Sequence, residues 1–352
     1  MKKENINRVV VRGTNWLGDA VMTVPALREL RRLVPGAHIT LATRSWAKGL
    51  FDDTDFIDDI LIYDRDGLSS VARQIRQWRR RNFDLAILFQ NSFEAALIAF
   101  LSRVRTRIGY ATEGRRALLT NPLPLPSWRD SKHEVFYYLN VVAELERLLT
   151  GEQTILDKEP DCALHVSPAR QMQGHSLLRA SGIAENSLLL ALCPGSINSR
   201  AKRWPSERYA QLGDRLIEEL GAKVLLIGSQ AELAISLNVS SSMRHKPVIL
   251  TGKTELSELI AILSVVDLLV TNDTGPAHIA PALGIPTIVV FGPTNPLTTR
   301  PFSPQAELIR HPPDCAPCML RDCPIDHRCM TAISSDEVFE RARVLLEQRQ
   351  FA

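Results

Sequence analysis

A chain of 352 residues is longer than one hydrophobic core usually spans, so two domains are expected. A formal net charge of +3 and only 6% aromatic residues argue against a nucleic-acid groove, which needs a strong basic field and stacking rings. No apolar run approaches the ~20 residues that cross a bilayer. The N-terminal MKKENINRVVV lacks the apolar core of a signal peptide, so a cytoplasmic protein without a transmembrane segment is expected.

Short β-branched runs alternate with longer helical patterns almost throughout. In the first half the strand candidates are NRVVVRG (7–13), HITLATR (38–44), DDILIYD (58–64), FDLAILFQ (83–90) and TRIGYAT (106–112). The Pro-rich TNPLPLPSW at 120–128 breaks the pattern, and a helix beginning in KHEVFYYLN then runs to Gly151. The polar segment from Glu152 to Pro168 reads as a linker. Beyond it the pattern restarts with SLLLALCPG (187–195), AKVLLIGS (222–229), KPVILTG (246–252), VVDLLVTND (265–273) and PTIVVFG (286–292). Strands alternating with helices imply parallel sheet covered on both faces, hence an α/β fold of two Rossmann-like, doubly wound domains facing a cleft. The expected domains are 1–165 and 166–333, with a C-terminal helix over 334–352 packing back on the first.

The loops at strand ends carry the candidate chemistry. After the first strand, RGTNWLGDAVM (12–22) is not a GxGxxG turn, which disfavours a nicotinamide-dependent oxidoreductase. It does place Asp19 at a helix opening, as either a cap or a general base. In the second half, Ser196, Asn198 and Ser199 can donate to phosphate oxygens, and Lys202 adds a full charge that would stabilise a departing diphosphate. Glu232, just inside a helix, either accepts from ribose hydroxyls or serves the helix dipole. The sharpest stretch is 265–292, VVDLLVTNDTGPAHIAPALGIPTIVVFG: strand, turn, helix with Pro276 in its first turn, second strand. Its turn offers free N–H groups and a positive helix end to an anion. Asp273 then either caps that helix or faces ligand hydroxyls, and His278 follows Thr274 by one turn. Asp53-Thr54-Asp55 has a metal-chelating spacing but reads as a solvated loop.

Two basic clusters, RQIRQWRRR (73–81) and RVRTRIGYATEGRR (103–116), are either solvated faces or a docking surface for phosphorylated lipid. Cys315, Cys318, Cys323 and Cys329 lie in one short segment and read either as a structural zinc site or as reduced, packed thiols.

Taken together, TNWLGDAVMTVPALREL (14–30), CPGSINSRAKRWPSERYAQL (193–212) and TNDTGPAHIAPALGIPTIVVFGPTNP (271–296) resemble the ADP-heptose:lipopolysaccharide heptosyltransferases, glycosyltransferase family 9, most of all its type II branch. The resemblance implies a GT-B fold, with the acceptor on the first half and ADP-heptose on the second. It implies an inverting transfer that requires no metal, from ADP-heptose to the first heptose of heptosyl-Kdo2-lipid A in the inner core. The family's catalytic aspartate falls on Asp19 and its phosphate-contacting lysine on Lys202. Its nucleotide-sugar turn falls on Asp273, Thr274, Gly275 and His278, while Thr14, Asn15, Gly18 and His133 fall on the acceptor side. The implied partners are ADP-heptose and a lipid-linked phosphorylated sugar, with the enzyme peripheral to the cytoplasmic face of the inner membrane. A type I enzyme, another nucleotide-sugar transferase of the family and a binding module without turnover remain the alternatives.

Overall fold

The computed structural model describes residues 3–64, 67–184 and 186–350. Residues 351–352 of the expected C-terminal helix lie outside them. The chain divides into two compact units between Cys162 and Ala163.

The first unit contains β1 (Arg8–Arg12), α1 (Leu17–Met22), α2 (Val24–Leu33), β2 (His38–Thr43), β3 (Asp59–Ile62), α3 (Gly67–Arg81), β4 (Leu85–Leu88), α4 (Phe93–Leu101), β5 (Thr106–Tyr110), β6 (Asn121–Leu123) and α5 (Glu134–Thr150). The second contains α6 (Pro168–Ala180), β7 (Leu189–Cys193), α7 (Ser206–Leu220), β8 (Lys223–Leu226), α8 (Leu233–Ser242), β9 (Val248–Ile249), α9 (Leu256–Leu263), β10 (Leu268–Asn272), α10 (Gly275–Ala282), β11 (Thr287–Val290), α11 (Pro296–Thr299), β12 (Ala306–Ile309), α12 (Arg328–Thr331) and α13 (Ser335–Gln350).

Each unit carries a six-stranded sheet, ordered β3-β2-β1-β4-β5-β6 in the first and β12-β11-β10-β7-β8-β9 in the second. Every strand pair is parallel. Renumbered within its unit, the second sheet has the order 3-2-1-4-5-6 of the first, the doubly wound arrangement. Central strands are buried along their whole length, as in the LAIL of β4, the LLALC of β7 and the TIVV of β11, because helices cover both faces. Covering a Leu, Ile or Val there contributes roughly 1.5–3 kcal/mol each.

Two strands escaped the sequence reading, and both lie at sheet edges. β6 sits inside the Pro-rich stretch, where Pro122 is tolerated because an edge strand does not need every N–H. β12 is a short AELI beyond the last run of the expected pattern. The helix from Glu134 stops at Gly151, which takes the left-handed conformation (φ 87°) that ends helices at glycine. The C-terminal helix packs within the second unit. Val338, Phe339, Ala342 and Leu346 of α13 join the core of the second unit with Tyr209, Leu212 and Leu216 of α7. Arg215 of α7 lies 3.8 Å over the Phe339 ring and pairs with Asp336 at 2.9 Å. The apolar stripe of α13 is satisfied within its own unit.

Candidate active site

In a doubly wound sheet, ligands collect where strand order reverses, at the carboxyl ends of the two central strands. Those strands are β1 and β4 in the first unit and β7 and β10 in the second. The loops singled out from the sequence leave three of these four ends.

In the second unit, β10 ends at Asn272, whose side chain ties the two central loops together. Its Oδ1 accepts from the Trp204 N–H (3.0 Å) and the Tyr209 hydroxyl (3.1 Å), while Nδ2 donates to the carbonyls of Pro194 (2.9 Å) and Gly195 (3.1 Å). All four hydrogen-bonding positions of the amide are filled. Sequence reasoning missed this residue. The available signal was an amide ending an otherwise apolar strand.

Asp273 is 4% exposed and does not cap α10. Its Oδ2 accepts from Lys202 Nζ at 2.7 Å and from the Thr294 hydroxyl at 2.6 Å, and its carbonyl takes a second bond from Lys202 at 3.2 Å. Two candidates far apart in sequence are therefore one ion pair. The N-cap of α10 is Thr274, which makes no side-chain cap bond; Pro276 has no N–H and the Ala277 N–H bonds the Thr274 carbonyl at 3.1 Å, which leaves the Gly275 N–H at the helix start. His278 is buried one turn further along the same helix.

Two candidate side chains of the second unit, Ser199 after β7 and Glu232 after β8, are engaged within the fold. Ser199 is buried, and its hydroxyl donates to the carbonyls of Leu320 (3.3 Å) and Arg321 (3.2 Å). Its proton is thus committed to the cysteine segment rather than to a phosphate. Glu232 forms a capping box with Ser229, accepting from its N–H and hydroxyl at 2.8 Å each. A Cβ at Gly195 would collide with this carboxylate, so the acid lies packed against backbone and the capping reading describes it. Ser196 is buried, with its carbonyl held by Arg203 (2.8 Å), while Asn198 is exposed. Cys193, at the end of β7, is pushed up to about 12 by burial and by the nearby Glu232 charge, which keeps it a neutral thiol.

In the first unit, Asp19 lies in the first turn of α1, half-buried. The N-cap is Trp16, in extended conformation, so Asp19 is not a cap. Its charge contributes, after burial, to raising Tyr138 of α5. Thr14 is buried, Asn15 exposed and Gly18 half-buried on the same loop. His133 is the N-cap of α5, its Nδ1 accepting from the Val135 N–H at 3.2 Å.

The carboxyl edge of this sheet also holds two buried arginines absent from the sequence reading as site residues. Arg12, the last residue of β1, donates to Gln90 (2.9 Å) and Gln74 (2.6 Å) and lies 3.3 Å over the Tyr63 ring. Arg115 donates to the carbonyls of Tyr110 (2.7 Å) and Gln90 (2.5 Å) and to Asn91 (2.7 Å). Burial pushes both down to about 10, which leaves them charged at neutral pH. Their hydrogen bonds go to neutral groups, while Glu94 stands 3.8 Å from Arg12 and the Glu113 charge acts on Arg115.

Parts of the two basic clusters meet in one groove. Arg79, Arg103, Arg105 and Arg107 line an open groove of about 460 Å³ beside Phe100. This groove lies where α3 and α4 end and β5 begins, at the amino edge of the sheet. Arg115, from the same sequence cluster, stands at the opposite edge.

Among the described residues no group of three or more His, Cys, Asp or Glu side chains is placed to hold a metal ion. The four clustered cysteines line one small cavity. No helix among the described residues is long and apolar enough to cross a membrane.

This architecture has close counterparts. The structure of E. coli ADP-heptose lps heptosyltransferase II superposes with a TM-score of 0.83 at 24% identity, covering 97% of this chain and 99% of that one. A glycosyltransferase family 9 protein of Veillonella parvula superposes at 0.82, also at 24% identity, covering 98% and 99%. The fold is the GT-B fold of two Rossmann-like units. The sequence profile of glycosyltransferase family 9 (heptosyltransferase) matches residues 71–328, more than half the chain. The chain belongs to that family and is a glycosyltransferase. Among curated relatives, the lipooligosaccharide heptosyltransferase 2 of Haemophilus ducreyi is 28% identical over 319 residues, covering 86% of this chain and 88% of the relative. The lipopolysaccharide heptosyltransferase 2 of E. coli K12 is 26% identical over 318 residues, with the same coverage.

Proposed function

We propose that the chain transfers L-glycero-D-manno-heptose from ADP-heptose to the first heptose of heptosyl-Kdo2-lipid A in lipopolysaccharide inner-core synthesis. The observation that carries the reading is the ion pair of Lys202 with Asp273 beside the uncapped start of α10. A lysine and a free helix N-terminus converging at a strand-order reversal suit a diphosphate. Likeness to type II heptosyltransferases over 86% of the chain supports the donor and the acceptor.

On this reading the second unit takes ADP-heptose by its diphosphate, and the first takes the acceptor. The acceptor hydroxyl oxygen attacks C1 of the heptose as the bond from C1 to the ADP oxygen breaks, which inverts the anomeric centre. Asp19 receives the hydroxyl proton. ADP departs with the bonding electron pair, and its growing charge is met by Lys202 and the Gly275 N–H at the start of α10, with no catalytic metal required. The acceptor is lipid-linked, so the enzyme works peripherally at the cytoplasmic face of the inner membrane.

Mass spectrometry of products tests the proposal. The purified protein is incubated with ADP-heptose and either Kdo2-lipid A or its mono-heptosylated form. Gain of one heptose by the mono-heptosylated acceptor alone is expected. Gain by Kdo2-lipid A itself would make the enzyme type I, and no gain by either, with ADP-heptose still bound, would leave a binding module.

A further inference from the structure

Helix α4 is apolar on both sides. Ala95, Ala96, Ile98 and Ala99 turn into the core, while Phe93 and Phe100 stand 48% and 44% exposed with Leu97 half-buried between them. Residues 93, 97 and 100 form one helical stripe, and the only charged residue of the helix is Glu94. A surface helix normally turns polar residues outward, and an apolar stripe left there marks an interaction surface.

The two ends of the stripe meet different surroundings. Phe93 follows the loop after β4, at the carboxyl edge of the first sheet, the edge that also carries Asp19 at the start of α1. Phe100 lies at the amino edge, in the wall of the groove lined by Arg79, Arg103, Arg105 and Arg107. No carboxylate is among the described residues of that wall. Two of its arginines are anchored: Arg79 donates to the Leu101 carbonyl at 2.8 Å, and Arg107 donates to the Leu118 carbonyl at 2.7 Å and lies 5.4 Å over the Phe100 ring. Arg103 and Arg105 are exposed.

We propose that α4 and this groove are the face by which the first unit docks on an anionic phospholipid bilayer. Phe93, Leu97 and Phe100 enter the headgroup layer, and the arginines meet lipid phosphates. An apolar stripe laid flat beside a row of guanidinium groups is the composition of an interfacial helix. A soluble anion would satisfy the arginines and leave the stripe in water, so a surface that is both apolar and anionic fits better. A bilayer along α4 also brings a lipid-linked sugar to the edge that carries Asp19. That consequence rests on the reading of the chain as a transferase to such a sugar, whereas the docking does not.

Co-sedimentation of the full-length protein with vesicles, no acceptor present, tests the proposal. Binding is expected to phosphatidylcholine vesicles carrying about one third phosphatidylglycerol, to be absent with phosphatidylcholine alone, and to weaken with salt. Arg103→Gln/Arg105→Gln lowers partitioning about 25-fold, about fivefold per arginine, and Phe93→Ser/Phe100→Ser lowers it at least about tenfold. Lys223→Gln/Lys253→Gln, which removes two exposed cations of the second unit, leaves it unchanged. On the unaltered protein, hydrogen exchange slows over residues 93–107 when the anionic vesicles are added, which decides the matter even if a variant fails to fold. Equal binding to neutral vesicles, no binding to either, unchanged partitioning of the arginine variant, an equal loss in the lysine variant, or protection confined to other segments would each overturn the proposal. So would inorganic pyrophosphate held in the groove without vesicle binding, which would make it a site for soluble anions. Docking without heptose transfer would fail the transferase reading and leave this one standing; transfer without docking would do the reverse.

Discussion

Replacing Lys202 by Met keeps most of the apolar stem of the side chain and removes its charge. The 2.7 Å contact with Asp273 corresponds to about 6 kcal/mol of gross attraction at an effective dielectric of about 20. Most of that is offset by desolvation, since Asp273 is 4% exposed and Lys202 25%. Removing one partner of a fully buried pair costs about 3–5 kcal/mol; with the lysine partly solvated and Thr294 still bonded to the acid, about 2–3 kcal/mol is expected. Turnover should fall by about 10²–10³, as when one preorganised donor to a developing anion is lost. The second variant is Lys202→Met/Asp273→Asn, which removes both charges and leaves no buried acid unpaired. It should regain most of the stability and none of the transfer. Urea unfolding and single-turnover heptose transfer, run on both variants, separate the two roles. Unchanged turnover in the single variant would refute the assignment of Lys202 to the leaving group. A double variant no more stable than the single one would refute the ion-pair accounting.

Asp19→Asn should lower transfer by about 10²–10⁴ while ADP-heptose affinity, read by calorimetry, stays within about twofold; a large loss of affinity would remove Asp19 from the role of base. Asn272→Ala strands two donors and two carbonyls between the central loops and should cost about 2–4 kcal/mol in denaturant unfolding, with Asn272→Asp at least as damaging because a carboxylate would face the Pro194 and Gly195 carbonyls. Glu146 bears on acid stability. Burial raises its carboxyl, but the Ile155 N–H (3.0 Å), Thr154 hydroxyl (2.9 Å) and Arg32 outweigh that and hold it below its ordinary value. A depressed folded value adds stability above the unfolded pKa, ~4.3, and loses it as pH falls through the folded one. Glu146→Gln should therefore cost about 1–3 kcal/mol at pH 7, and the gap to the parent should close below about pH 4; a gap constant with pH would show that the carboxylate charge is not what holds the 154–155 segment.

The alternation of β-branched runs with helical segments was enough to read two parallel sheets, because strands covered on both faces stay apolar along their length whatever lies beside them. The edge strands β6 and β12 were not legible, since an edge needs neither a full apolar run nor every N–H. The strand-end loops could also be found from sequence, because Gly, Pro and small polar residues at the close of an apolar run have few other uses. The fate of single side chains there could not. Asp19, Asp273 and Glu232 each had two physically sound readings, a local one within their own turn and a distant one. Local sequence favours a helix-end role for all three, yet only Glu232 serves as a cap.

What resolved those choices is long-range. Strand order brings β10 beside β7, so that Lys202 meets Asp273 and Asn272 joins both loops; no spacing along the chain contains that information. The burial of Arg12 and Arg115 likewise depends on which loops close over the ends of β1 and β5. Periodicity fixes which residues turn inward, because it is a property of one element at a time. Partners in a hydrogen bond or an ion pair are a property of two elements, and only the packed sheet specifies them.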